Sequence, residues 1–135
     1  MDKMREIRLE MIAKKISAYS PKIIDDERAK RAGVLVPIYA QDRNLFVVLT
    51  KRTLQVRVHK GEISFPGGVL EATDSNTEEA ALRECAEEIG ITKSGLTVLG
   101  RLDDTYTSTG YLISSYVATL FSPCRFKINR KEAVS

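Results

Sequence analysis

The spacing of apolar residues changes several times along the chain, and each change predicts an element. Met4, Ile7, Met11, Ile12 and Ile16 recur at near-helical intervals among Lys, Arg and Glu. This predicts an amphipathic helix within residues 1–20, ended near Ser20-Pro21 because proline cannot continue the ladder. Residues 22–31, KIIDDERAKR, form a charged connector or short helical turn with Arg28, Lys30 and Arg31 in solvent. Residues 33–39 then predict a strand, Asp42-Arg43-Asn44 a turn, and residues 45–50 a returning strand, which together make a hairpin. The second of these strands is apolar at successive positions, so both its faces are expected to be covered.

A Gly-rich turn at Pro66-Gly67-Gly68 leads into the next helical pattern. Ser75 with Glu78 three residues on predicts a capping box, and Gly90 followed by Ile91 predicts the stop. Between those signals Leu82, Cys85, Ala86 and Ile89 mark a core-facing side, while Glu84, Glu87 and Glu88 fall at i, i+3 and i+4 on the neighbouring arc. Residues 96–102 predict a strand, residues 103–110 a polar loop and residues 111–120 a long strand. Residues 126–135 end without a helical pattern. The order helix, strands, helix, strands is that of an α/β domain, a mixed sheet with helices on its faces.

Length and composition narrow the class. The 135 residues suit one domain spanning 1–135, and 43% hydrophobic with 29% charged residues is ordinary soluble composition. No apolar run approaches the ~18 residues of a membrane span, and the opening MDKMREIRLEM has no signal-peptide character, so a cytoplasmic protein without a membrane partner is expected. Cys85 and Cys124 fit a reducing compartment and are read as structural. A net charge of +3 permits anionic ligands, but no dense basic stripe or interleaved aromatic series argues for nucleic acid.

The three glutamates change the picture most. Carboxylates this close repel one another, and Arg83, which can reach Glu87 at i+4, cannot neutralise all three. A divalent cation answers the excess, and oxygen-only ligands point to Mg²⁺ or Mn²⁺ rather than zinc. The plainer alternative is a solvated charged face. His59, the single histidine, lies in a basic loop beside Lys60 and Arg57, where a surface position competes with a role as base.

The wider motif favours the cation. Arg83-Glu84-Cys85-Ala86-Glu87-Glu88-Ile89-Gly90-Ile91, preceded by Gly67-Gly68 and Asp74, resembles the signature of the Nudix hydrolases, G-x5-E-x7-R-E-U-x-E-E-x-G-U with U a bulky aliphatic. Asp74 stands where that signature has Glu, eight residues rather than seven separate it from Arg83, and Cys85 replaces an aliphatic residue. Upstream, Leu49-Thr50-Lys51-Arg52-Thr53, Arg57, Gly61 and Phe65-Pro66-Gly67-Gly68 resemble LLTxR(S/A)x3Rx3Gx3FPGG, the pattern of the coenzyme A pyrophosphatase branch, with Val48 and Thr53 as departures.

The resemblance implies a Nudix-type α/β/α sandwich and Mg²⁺- or Mn²⁺-dependent hydrolysis of coenzyme A or acyl-coenzyme A to 3′,5′-ADP and (acyl-)4′-phosphopantetheine. It implies metal ligation by Glu84, Glu87, Glu88 and the Gly67 carbonyl, with Glu84, Arg83 and Glu87 as catalytic residues. Arg83 would pair with Asp74 and orient the glutamates. Substrate contacts are implied at Arg52, Arg57, Lys60 and Gly68, since cations bind phosphates, although Arg57 and Gly61 equally suit a role in shaping the loop. Members of the family usually continue with a further strand and a C-terminal helix; if those elements are missing here, the face they leave would be covered by a partner chain, as in a homodimer, or by a different packing of the N-terminal helix. Competing functions are a Nudix enzyme acting on another nucleoside diphosphate derivative or nucleoside triphosphate, a non-catalytic nucleotide-sensing module, and a protein-interaction domain.

Overall fold

A computed structural model describes residues 3–42, 44–51 and 63–120. Arg52, Arg57, His59, Lys60, Cys124 and the segment 126–135 lie outside the described residues. Helix α1 spans Lys3–Ala18 as its spacing predicts, and β1 runs from Lys30 to Gln41. β1 thus starts three residues before the predicted strand. Arg31, expected in solvent, is half-buried instead, and its guanidinium donates to the Ile24 carbonyl at 3.4 Å.

Beyond β1 come β2 (Asn44–Val47), β3 (Thr50–Lys51), β4 (Ile63–Ser64), β5 (Gly67–Val69), α2 (Thr77–Ile89), β6 (Leu96–Arg101), β7 (Thr105–Tyr106) and β8 (Tyr111–Leu120). β1 and β8 pair in parallel at the centre of a mixed sheet. The outer edge of β1 is shared by β2 and β5, and that of β8 by β6 and β7, all antiparallel. The break between β2 and β5 has a local cause. Pro37 has no N–H to donate; its carbonyl accepts from Val48 N–H at 3.0 Å, and the next bond along that edge, Leu35 N–H to the Pro66 carbonyl, is 2.8 Å. The chain leaves the sheet after Val48 and returns at Pro66, and between them β3 and β4 form a separate two-stranded ladder.

The two faces of the sheet differ. On β8 the even-numbered residues from Leu112 to Leu120 are all buried, whereas the odd-numbered ones are half-buried except for Val117. The even face joins Leu35, Val48, Leu96, Ala81, Leu82, Cys85 and Ile89 in the core beneath α2. α1 packs on the other face. A Cβ at Gly100, which lies opposite Val117, would stand 2.7 Å from Ile16 Cγ2, so the missing side chain is what lets α1 approach. Met11, counted on the apolar side of α1, is exposed.

The expectation that both faces of residues 45–50 are covered is not met. Val48 is buried, but Phe46, Val47 and Leu49 are exposed. Among the described residues β2 is an edge strand held only by β1, so only Val48, turned inward as the ladder breaks, reaches the core. Phe46 instead stacks on Tyr39, with ring centroids 5.2 Å apart.

Candidate active site

Helix α2 begins one residue later than its sequence predicts. Asn76, in extended conformation, is the N-cap, and its Oδ1 accepts from Glu79 N–H at 2.9 Å, so Ser75 and Glu78 do not form the cap. Asn76 and Glu79 have the same three-residue spacing, a signal equally present in the sequence. The helix ends at Gly90, in the left-handed region at φ 75°, with its N–H on the Ala86 carbonyl. Thr77 Oγ1 lies 2.7 Å from the Tyr116 hydroxyl, tying the first turn to β8.

The buried stripe of α2 is also displaced from the predicted one. Ala80, Ala81, Leu82, Cys85 and Ile89 are buried, Ala86 is only half-buried, and Glu88, placed by its spacing on the acidic arc next to the core-facing side, is buried as well. Glycine explains the shift. Gly33 of β1 and Gly68 of β5 are directly paired across strands, and they leave a shallow groove under the helix. A Cβ at Gly33 would run into the Thr77 carbonyl oxygen, and one at Gly68 would lie 2.6 Å from Glu84 Cδ. Thr77, Ala81, Glu84 and Glu88 fall at i, i+4, i+7 and i+11, so this stripe lies against the sheet.

Burial grades the acids accordingly. The Glu84 side chain is 21% exposed and that of Glu87 59%. Arg83 gathers them. Its Nε and Nη2 donate to the two Asp74 oxygens at 3.1 Å each, a bidentate pair, and Nη2 also reaches the Val69 carbonyl at 3.2 Å. Nη1 stands 2.9 Å from Glu84 Oε1, 3.5 Å from Glu87 Oε1 and 3.8 Å from Glu71 Oε1. The extra residue between Asp74 and Arg83 is taken up in the turn: Asp74 N–H donates to the Glu71 carbonyl and Glu71 N–H to Asp74 Oδ2. Glu71 is a contact the sequence did not single out. Arg83 and the Glu71 N–H hold the Asp74 carboxyl below its ordinary range, and Asp74 raises the guanidinium in turn. Burial, with Glu88 adding to it, pushes the Cys85 thiol up to about 12.

The donor set suits a hard divalent cation, because every candidate side-chain ligand is a carboxylate oxygen. Glu84 and Glu87 already converge on one positive centre, the Arg83 Nη1. Among the described residues no three acids stand close enough, as oriented, to hold an ion.

A mixed sheet with a glutamate-bearing helix laid across paired glycines and clamped by one arginine defines the α/β sandwich of the Nudix fold. The family model described as NUDIX domain matches residues 29–131, and the chain belongs to this family. It is 33% identical over 112 residues to a protein of Pectobacterium atrosepticum named "Uncharacterized Nudix hydrolase NudL", covering 83% of this chain and 58% of that one. To the NudL of Photorhabdus laumondii it is 37% identical over 100 residues, covering 74% and 52%. The chain thus spans little more than half the length of these relatives. Among solved structures, a Caenorhabditis elegans Ap4A hydrolase in a binary complex superposes with a TM-score of 0.65 at 20% identity, covering 76% of this chain and 75% of that one. The NUDIX domain of Shewanella oneidensis NrtR, complexed with ADP ribose, gives 0.55 at 21% identity over 95% and 76%. These likenesses bear on the fold alone. No helix among the described residues is long and apolar enough to cross a membrane.

Proposed function

We propose that the chain is a hydrolase of a nucleotide diphosphate bond whose substrate is coenzyme A or an acyl-coenzyme A. The observation that carries the hydrolase reading is the convergence of Glu84 and Glu87 on the Arg83 Nη1 beside Gly68, in a chain of the Nudix family. Glu84, Glu87, Glu88 and the Gly67 carbonyl would hold Mg²⁺ or Mn²⁺. Such an ion supplies charge neutralisation on the two phosphates and acidifies a bound water.

The chain's own residues do the positioning. Arg83, fixed to Asp74 by two bonds, keeps Glu84 and Glu87 on one side of α2 and screens their mutual repulsion. Glu84, the less exposed of the two, is the one we assign to take a proton from water, with Glu87 left to the cation. The preference for coenzyme A rests on the run from Leu49 to Gly68, whose Arg52, Arg57 and Lys60 would meet the 3′-phosphate or diphosphate. A soluble cytoplasmic setting accords with that substrate.

The test is to incubate purified protein with Mg²⁺ and coenzyme A and look for 3′,5′-ADP and 4′-phosphopantetheine. Dinucleoside polyphosphates, ADP-ribose and nucleoside triphosphates run in parallel. Rapid cleavage of one of these with coenzyme A untouched would move the assignment to another nucleotide substrate. Tight nucleotide binding without turnover of any would make the chain a sensing module.

A further inference from the structure

We infer that Gly68 is a positioning residue: its missing side chain is the space in which the Glu84 carboxylate is held. A Cβ built at Gly68 would meet Glu84 Cδ at 2.6 Å and Cγ and Oε1 at 2.7 Å, closer than real Cβ atoms stand to any neighbour. All three of these atoms belong to one flexible side chain, so an alanine there displaces Glu84 and leaves the backbone where it is. Gly33, its cross-strand partner, differs. There the obstruction is backbone, the Thr77 carbonyl and Ala81 nitrogen, so Gly33 governs whether the helix docks at all. One glycine of the pair therefore seats α2 and the other sets the rotamer of a single acid on it.

Two constraints hold Glu84 in place. The β5 backbone at Gly68 blocks it from below, and Arg83 Nη1 draws Oε1 in at 2.9 Å from the side. The Gly68→Ala change fills that space and displaces the Glu84 carboxylate from the position it now holds 2.9 Å from Arg83 Nη1. This deepens the metal-dependent reading above and rests on it.

The experiment measures Mn²⁺ binding by electron paramagnetic resonance together with thermal melting for wild type, Gly68→Ala, Glu84→Asp and the double variant. Gly68→Ala is expected to weaken Mn²⁺ binding about ten- to a hundredfold, the range for losing a group that orients a ligand, with its melting temperature close to wild type. Glu84→Asp in the Gly68→Ala background shortens the side chain by one methylene and is expected to restore part of that binding, although the same change alone weakens it. A Gly68→Ala protein that binds Mn²⁺ as wild type does would overturn the role of Gly68 and leave the metal reading standing. A loss of binding that follows a fall in melting temperature, with no recovery in the double variant, would reduce Gly68 to a structural residue. Wild-type protein that binds no Mn²⁺ would instead overturn the metal reading, and this inference with it.

Discussion

The Glu87 side chain is far more exposed than that of Glu84, and its reach to Arg83 is the longer of the two, 3.5 Å against 2.9 Å. Glu87→Gln removes one negative charge without opening the core. It is expected to lower turnover and Mn²⁺ affinity by more than about a hundredfold, the upper end of what outer-shell changes cost, while the melting temperature stays near that of wild type. A steady-state assay paired with calorimetry checks this; wild-type turnover from the Glu87→Gln protein would remove Glu87 from the mechanism. Cys85 gives the opposite case, a group chemically silenced by its surroundings. Its thiol is fully buried and pushed up to about 12, first by burial and then by Glu88, so at pH 8 it is neutral. In a Cys124→Ser background no reaction with a disulfide reagent is expected until denaturant unfolds the chain. The sequence marked Cys85 as structural through its place on the apolar face of the helix. It could not mark Glu88 as buried, because spacing gives the arc a residue lies on and says nothing of the depth to which that arc sinks.

At the scale of the element, α2 depends on its two ends. Asn76→Ala removes the oxygen that satisfies Glu79 N–H and is expected to destabilise the fold by about 1 kcal/mol, whereas Ser75→Ala should be close to neutral. Urea unfolding of both variants distinguishes them, and the reverse order would reinstate Ser75 as the cap. The two candidate caps satisfy the same local rule, so the sequence could not choose between them. The choice follows from tertiary contacts: Thr77 bonds Tyr116 and packs against Gly33, which fixes Thr77 as the first helical residue and leaves Asn76 outside. β2 shows a second limit. The continuous apolar run through residues 45–49 matches a buried strand, yet of its apolar residues only Val48 is buried, because the ladder against β1 breaks at Pro37.

At the scale of the whole molecule, the segment joining α1 to β1 is fastened to the loop after β6 by side chains far apart in sequence. Asp103 Oδ1 accepts from the Tyr19 hydroxyl at 2.7 Å and Lys22 N–H at 2.8 Å, and Asp26 Oδ2 accepts from the Tyr106 hydroxyl at 2.8 Å. Nearby, Asp104 is buried, accepting from Ile24 N–H and from Arg101, whose guanidinium also reaches Ser114. Asp103 lies below its ordinary 3.8, chiefly through the Lys22 N–H and then Tyr19; Asp26 does so chiefly through Tyr106. Carboxyls depressed in the folded state contribute stability that is complete above their unfolded value and is lost as the pH falls through the folded one. The melting temperature is therefore expected to drop below about pH 4, and less steeply in Asp103→Asn, which starts lower and has one fewer group to titrate. Parallel slopes for the two proteins would show that Asp103 makes no such contribution. None of this clamp was visible in the sequence, where residues 103–110 presented only as a polar loop.

What the chain's order of residues determined by itself was local: where α1 and α2 run, that Gly90 ends the second helix, that β8 is long, and that three glutamates and an arginine share one side of a helix beside a Gly-Gly turn. Those features follow from backbone geometry over a few residues, and periodicity records them directly. Only the folded molecule decided which stripe of α2 meets the sheet, that Asp74 closes on Arg83 despite an extra residue, and that Gly33 and Gly68 stand side by side beneath the helix. The depth of a side chain and the room left for it depend on what the opposing strand lacks. The two glycines that leave that room are far apart in sequence and are brought together only by folding.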